Sequence, residues 1–465
     1  MRKSILSAFI VLLALSAALG LYSAEALAEK GKLYFTFVSS AYYMDKKWGQ
    51  GTPLDGIKRT AEIAHRNGVP VTWLVSPRSA SEAADLFREY HEKYGDAVGY
   101  IAQTNKSEEA MWGGGGFFMS KLPSKKLFNR LRKETDSIKK SLPWAELMIA
   151  GGGHRSNRMV KMLEKLGYTG LWGHCWEQTL TDGISDRGAP WGFYYVSDEA
   201  FKAPNRKERG LVAIEWTARD LNLAFRTGKP EIYSTDPNDV GRAALCSYRS
   251  IEYWKRMVDE YARNAEYNMM VPLAVHQEAH EMEDTPKMFR HNSLNIASSG
   301  DMLDELFKYV KSIGAEIVSA NDAIKMYRGM YEKTPPTYAL FKDTILAKYP
   351  EILVYFDLNG QLFFDRGKIS PVFIRNYIGA NDPDVVDFAG VTDVPEADCK
   401  SIDTGYECSV SSDVDMAYGL AFWGNYSNIS VEGAEGVVTK ILPGQLAHAA
   451  WPLKPGMNRV RVNLN

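Results

Sequence analysis

A parallel α/β barrel of seven or eight strands, followed by an all-β domain, is the fold class this sequence predicts. Three observations carry it. Between residues 32 and 330, short apolar runs rich in β-branched residues alternate with amphipathic stretches of helical period, and strand alternating with helix means a parallel sheet. Several amphipathic stretches close on a glycine just before the next apolar run, at Asn67-Gly68-Val69, Leu166-Gly167-Tyr168 and Ile313-Gly314-Ala315, as helices joined to strands by short loops do. Beyond residue 336 the helical period stops and hairpin signals replace it.

The elements follow in chain order. Arg2 and Lys3 precede a charge-free, mostly apolar stretch at 8–21, and Ala26-Leu-Ala28 is a small-x-small cleavage site. Residues 1–28 therefore read as a secretory signal with the mature chain starting near Glu29, in a periplasm or outside the cell. No later run approaches the roughly 20 apolar residues a bilayer span requires, so no membrane span is expected. Candidate strands lie at 33–38, 70–75, 97–102, 146–150, 168–173, 211–216, 270–275 and 316–318. Candidate helices lie at 54–67, 81–94, 125–141, 157–166, 239–268 and 301–313. Seven or eight such units favour a closed barrel over an open sheet, spanning 29–330.

Residues 331–465 form the second unit. The run 352–358, then Asn359-Gly360, then 361–365 is a hairpin signature, because Asn-Gly suits the positive φ angles of a type I′ turn. The remainder reads as short strands, ending in the period-two alternation of 458–464, and predicts a β-sandwich accessory domain. Cys399 and Cys408 bracket a short polar loop and are candidates for a disulfide in an oxidising compartment. Cys175 and Cys246 lack Cys-x-x-Cys spacing and read as buried thiols.

Composition narrows the function. Fifty-five Lys and Arg nearly balance 57 Asp and Glu with no basic stripe, which argues against nucleic acid as a partner. Eleven Trp and 25 Tyr suit a protein whose rings stack on sugars, although large cores also collect aromatics.

The most informative stretch is Val271-Pro-Leu-Ala-Val-His-Gln-Glu-Ala-His-Glu281, an apolar run that ends abruptly in two histidines and two carboxylates. It reads as a buried parallel strand emptying into a polar pocket, the end at which barrels place catalytic groups. Thr169-Gly-Leu-Trp-Gly-His-Cys-Trp-Glu-Gln178 and Leu211-Val-Ala-Ile-Glu-Trp-Thr-Ala-Arg-Asp220 close the same way.

Two segments resemble a known family. Ile149 to Trp172, with Gly-Gly-Gly-His-Arg155 before a helical stretch and Leu-Gly-Tyr168 before a run ending in Trp, is similar to the corresponding stretch of polysaccharide deacetylases; so is Gly68-Val-Pro-Val-Thr-Trp-Leu-Val75. The resemblance covers about 32–330 and implies the barrel of the glycoside hydrolase/deacetylase superfamily, which includes family 57 and 38 glycosidases. The departures decide what it implies about chemistry. The family's Thr-Phe-Asp-Asp at the first strand is replaced by Tyr34-Phe-Thr-Phe-Val-Ser-Ser40, and its His-x-x-x-His pair after the third strand by Val98-Gly-Tyr-Ile-Ala-Gln-Thr-Asn-Lys106. A carboxylate and two imidazoles complete the metal site of those enzymes, so their loss argues against metal-dependent deacetylation. Arg155 matches a family arginine whose partner aspartate is gone; it remains able to bind an anionic group such as a uronate.

What remains suits acid/base cleavage of a glycosidic bond without cofactor. Glycosidases need two carboxylates roughly 5 to 9.5 Å apart, and Glu215 and Glu278, beyond the sixth and seventh candidate strands, are the leading pair, with Asp220 and Glu177 as substitutes. The plainer role for each is a salt bridge with a cation such as Arg219 or Arg155. His276, Glu278 and His280 alternate, so on an extended chain they face one way and form the set able to ligate a metal, with His174 as a further ligand; in the simpler reading His276 bonds a sugar hydroxyl or orients a carboxylate while His280 has left the strand, and His174 is a substrate-binding residue. Trp48, Trp112, Trp172, Trp176, Trp191 and Trp216 fall at strand ends or in the following loops, as sugar-stacking platforms or as rim packing. Trp112-Gly-Gly-Gly-Gly116 and the insertion 178–209 read as pocket walls rather than phosphate loops. The expected function is a secreted, metal-independent glycoside hydrolase with a carbohydrate substrate. A catalytically inactive glycan-binding barrel is the alternative, and a metal-dependent deacetylase the third reading.

Overall fold

The computed structural model describes residues 31–41, 53–102, 123–151, 157–173, 192–196, 209–215, 218, 252–266, 268–282, 296–335, 337–342, 351–357, 360–365, 370–371, 373–374, 397–412, 416–442 and 446–465. The proposed signal, Trp48, Trp112, Arg155, His174, Cys175, Trp176, Glu177, Trp191, Trp216, Arg219, Asp220 and Cys246 lie outside them.

The N-terminal part alternates β1 (Lys32–Ala41), α1 (Pro53–Arg66), β2 (Val71–Val75), α2 (Pro77–Glu82), α3 (Ala84–Tyr94), β3 (Ala97–Ile101), α4 (Ser124–Ser141), β4 (Ile149–Gly151), α5 (Asn157–Lys165) and β5 (Gly170–Trp172). It continues through β6 (Tyr194–Tyr195), β7 (Val212–Ile214), α6 (Glu252–Arg263), β8 (Met270–His276), α7 (Ile296–Ser312), β9 (Glu316–Ile317) and α8 (Ala320–Met330). The sheet runs β6-β7-β5-β4-β3-β2-β1-β8, parallel throughout except for β6. The α/β class and the parallel sheet are those predicted from the alternation.

Side-chain alternation sorts every strand into two faces. Phe35, Phe37, Val71, Trp73, Val98, Tyr100, Leu171 and Ala213 pack outward with the helices. Tyr34, Val38, Leu74, Ile101, Ile149, Trp172, Ile214 and Ala274 form a separate interior cluster. Strands from opposite ends of the path meet there, so the sheet is curled around its own core. Among the described residues, however, β7 and β8 are not hydrogen-bonded to each other; the path ends at β6 on one side and at β8 on the other. This corrects the expectation that Glu215 and Glu278 project from paired neighbouring strands.

Several boundaries also differ. The expected helix 81–94 is two helices, because Ser76 caps an earlier start through a reciprocal bond with Ser79, Pro77 follows it, and Ala83 leaves helical geometry. The expected eighth strand, 316–318, closes nothing: β9 pairs the first half of β1, with β2 pairing the second half. Of the expected helix 239–268, only Glu252–Arg263 and a 3₁₀ turn at Asn264–Glu266 lie within the described residues.

α8 has no counterpart among the sequence-predicted helices. Ser319 caps it by accepting from Asp322 N, and Ala320, Ala323, Ile324 and Tyr327, one face of the helix, are buried in the interior cluster. Ala320 N donates to Thr72 Oγ1 at 2.9 Å. A Cβ on Gly170, the first residue of β5, would stand 2.3 Å from Ile324 Cδ1, so only glycine lets α8 approach. α8 thus plugs the N-terminal end of the barrel strands and leaves the opposite end for chemistry.

Beyond residue 336 the described residues contain strands and no helix. They form three four-stranded antiparallel sheets: β10 (Thr337–Lys342), β11 (Glu351–Asp357), β12 (Gly360–Asp365) and β14 (Phe373–Ile374); β13 (Ser370–Pro371), β17 (Met416–Trp423), β20 (Leu446–Leu453) and β19 (Val438–Leu442); and β15 (Ala397–Ile402), β16 (Gly405–Ser412), β21 (Gly456–Leu464) and β18 (Ile429–Glu432). The last two share one apolar core, in which Leu420 and Trp451 meet Val410 and Val462. The hairpin β11 (Glu351–Asp357) and β12 (Gly360–Asp365) pairs Asp357 with Gly360, so Gly360 is a strand residue and not the second turn residue that Asn-Gly implied. Cys399 in β15 (Ala397–Ile402) and Cys408 in β16 (Gly405–Ser412) are register partners joined by a disulfide. Among the described residues, no helix is long and apolar enough to cross a membrane.

Candidate functional site at the C-terminal end of the curled sheet

The polar residues of this end gather where β1 and β8 finish. β1 pairs β8 from Lys32↔Met270 to Val38↔His276, so Ser39 and Ser40 run alongside the chain as it leaves β8. Gln277 N donates to the Val38 carbonyl at 3.1 Å and Ser39 Oγ donates to the Gln277 carbonyl at 2.8 Å. These bonds fasten the two chain segments together beyond the last strand pair. Ser40 Oγ and His276 Nε2 lie 2.8 Å apart; the imidazole tautomer sets which one donates. Both residues are buried, at 1% and 0% exposure.

Trp172 supplies the wall. It ends β5, and its indole meets the His276 ring at 4.9 Å between centroids with a 50° tilt. The ring has room because residue 151 is glycine, where a Cβ would come within 2.7 Å of Trp172 Cε3. Trp172 is the register partner of Ile214 in β7, and Gly173 N continues the ladder to the Ile214 carbonyl at 2.8 Å. Glu215 is the next residue, a buried carboxylate that is 4% exposed.

Two sequence-based expectations change here. Alternation with the interior Val212 and Ile214 does not fix the face of Glu215. The chain is already past its last strand residue at Glu215. Likewise, His276, Glu278 and His280 do not share an extended segment: the strand ends at His276, and Ala279–Met282 is a 3₁₀ turn. Period-two spacing ceases to predict facing where the strand stops, because a 3₁₀ turn places residues 120° apart. Ala279 and Met282 turn toward the helices, and Glu278 is half-buried. His276, Trp172 and Glu215 are brought to one rim, while Glu278 follows β8, a strand not paired with β7 among the described residues.

Ser39 and Ser40 are the members that sequence reasoning passes over. The signal was an apolar run ending in polar residues, the same one that flags His276.

The metal implied by the deacetylase resemblance does not fit the residues present. β1 ends in Ser39, Ser40 and Ala41 and β3 in Ile101, and hydroxyl and aliphatic side chains are poor partners for a transition metal. Among the described residues, no three of His, Cys, Asp and Glu come close enough to hold an ion.

No family model matches the chain, and no curated protein does. Solved structures to which it is similar are polysaccharide deacetylases, family 4 carbohydrate esterases and an allantoinase. A protein assigned to the polysaccharide deacetylases from Mycobacterium smegmatis is 13% identical with a TM-score of 0.39, the match covering 67% of this chain and 96% of that one. A CE4 family pseudoenzyme from Bacillus anthracis is 12% identical with a TM-score of 0.32, covering 64% and 66%. Puue allantoinase is 10% identical with a TM-score of 0.39, covering 65% and 92%. At these identities and TM-scores the matches assign neither an activity nor a site residue to this chain.

Proposed function

We propose that the chain is an exported carbohydrate-active hydrolase whose site is the C-terminal rim of the curled sheet, and that it cleaves glycosidic bonds by acid/base chemistry without a metal. The carrying observation is Glu215, a carboxylate 4% exposed at the rim that Trp172 and His276 share. Glu215 takes the role of general acid in this reading. Glu278, beyond β8, is the second carboxylate; the indole of Trp172 offers a face for the C–H side of a sugar ring.

Glu215→Gln alters charge by one unit and shape very little, so the fold should persist. Turnover on a glycan panel should fall at least about 100-fold, the usual weight of a general acid or base, and Glu278→Gln should act likewise. Near-normal rates in both variants, on a substrate the wild type cleaves, would remove them from the mechanism and leave Glu177 and Asp220 to test. A second reading, a glycan-binding barrel without catalysis, is favoured by the serines that end β1 where the resembled enzymes carry paired aspartates. It is the outcome if the wild type binds glycans in calorimetry and cleaves none.

A further inference from the structure

The Ser40–His276 contact goes beyond glycosidic cleavage. We propose that Ser40 and His276 are a nucleophile and general base that give this rim a serine-type acyl hydrolase activity, with O-acyl esters on a carbohydrate as the substrate class. The carbohydrate part rests on the reading above; the dyad itself does not.

The geometry is that of an activated hydroxyl. Ser40 Oγ and His276 Nε2 are 2.8 Å apart, inside the roughly 2.6–3.2 Å reach that proton transfer between nucleophile and base requires. The residues are 236 apart in sequence and meet only because β1 and β8 run side by side. The imidazole is held from two directions: Trp172 packs against its ring, and the bonds from Ser39 to the Gln277 carbonyl and from Gln277 N to Val38 fix the chain next to it. A base so fixed loses little entropy on reaching the transition state. Both groups stand at the end of the sheet opposite the α8 plug, where a parallel barrel offers its backbone ends to a ligand.

The chemistry closes without any added reagent. With the imidazole proton on Nδ1, Nε2 accepts the Ser40 hydroxyl proton as Oγ bonds to the ester carbonyl carbon. The carbon–oxygen bond to the sugar then breaks, and the leaving oxygen takes that proton from Nε2. Water next attacks the acyl-Ser40 carbonyl and gives a proton to Nε2; the Oγ–acyl bond breaks and Oγ recovers the proton, releasing the carboxylic acid. The sum is ester plus water to alcohol plus acid.

The test uses the full mature chain, a fluorophosphonate probe and p-nitrophenyl acetate. The expected result is one phosphonyl adduct per chain on the peptide carrying Ser40, with ester hydrolysis blocked in proportion. His276→Gln should slow both labelling and hydrolysis at least about 100-fold, a loss that a purely structural Ser–His bond would not produce in a folded variant. Wild-type protein, folded by circular dichroism, that acquires no adduct on Ser40 overturns the proposal, and this arm needs no variant to fold. An adduct on Ser40 that forms equally fast in folded His276→Gln overturns the dyad. Failure of the glycosidase reading leaves these readouts untouched, because labelling is scored by mass and not on a glycan; esterase activity on acylated but not deacylated sugar then identifies the substrate class.

Discussion

Replacing Asp96 with alanine should destabilise the barrel by about 4 kcal/mol, a figure that follows from what its carboxylate holds. Asp96 is 1% exposed between α3 and β3. Its Oδ1 accepts from Val71 N at 2.9 Å, its Oδ2 from Trp73 Nε1 at 2.7 Å, and both face His65 Nε2 at 2.9 and 3.1 Å. Its own carbonyl meets His91 Nδ1 at 2.7 Å, so a single residue joins β2, α1 and α3. Alanine leaves the Val71 and Trp73 donors buried without this acceptor, and each orphan costs about 1–3 kcal/mol. Trp73→Phe removes one of those donors in advance. In that background Asp96→Ala should therefore cost about 1–3 kcal/mol less than in the wild type, a coupling well above the few tenths expected of independent sites. Urea unfolding followed by tryptophan fluorescence gives all four corners of the cycle. A cost below about 1 kcal/mol for Asp96→Ala, or additive single changes, would refute the reasoning, since either means that the donors found other partners.

Three further outcomes are expected. Gly151→Ala should push the Trp172 indole off His276, because the new Cβ would lie 2.7 Å from Cε3; near-ultraviolet circular dichroism should change and stability fall by about 1–3 kcal/mol, the usual cost of overpacking. At Asp304, burial alone would raise the carboxyl, but hydrogen bonds from Lys308, Asn67 and Arg66 bring it from 3.8 down to about 2. A carboxyl depressed in the folded state stabilises above its unfolded pKa and loses that contribution as pH falls through the folded one. The urea midpoint should thus drop between about pH 4 and pH 2, and drop less steeply in Asp304→Asn. Dialysis against a chelator should leave hydrolysis unchanged; stoichiometric zinc lost together with activity would instead restore the metal-dependent reading.

Local patterns in the chain determined a good deal of this protein. The period of the apolar residues separated helix from strand, and the glycines that follow helices, such as Gly68, Gly167 and Gly314, adopt the positive φ that closes them. The polar end of the run 271–276 pointed to His276. The sequence reading missed α8 although its signal is present: Ala320, Ala323, Ile324 and Tyr327 follow the i, i+3, i+4, i+7 series behind a capping serine, and nothing in that series says that its apolar face enters a barrel. Only the tertiary structure decided which strands pair. Periodicity assigns a face to each residue but carries no term for contacts hundreds of positions apart, so the pairing of β7 with β5 and β6 and not with β8 could not be read from spacing. Alternation also fails where a strand ends, as it does beyond His276. The same long-range pairing brings Ser40, an unremarked hydroxyl at the end of the first strand, to 2.8 Å from an imidazole 236 residues later, because hydrogen bonding between β1 and β8 is fixed by the curled sheet as a whole and not by either segment alone.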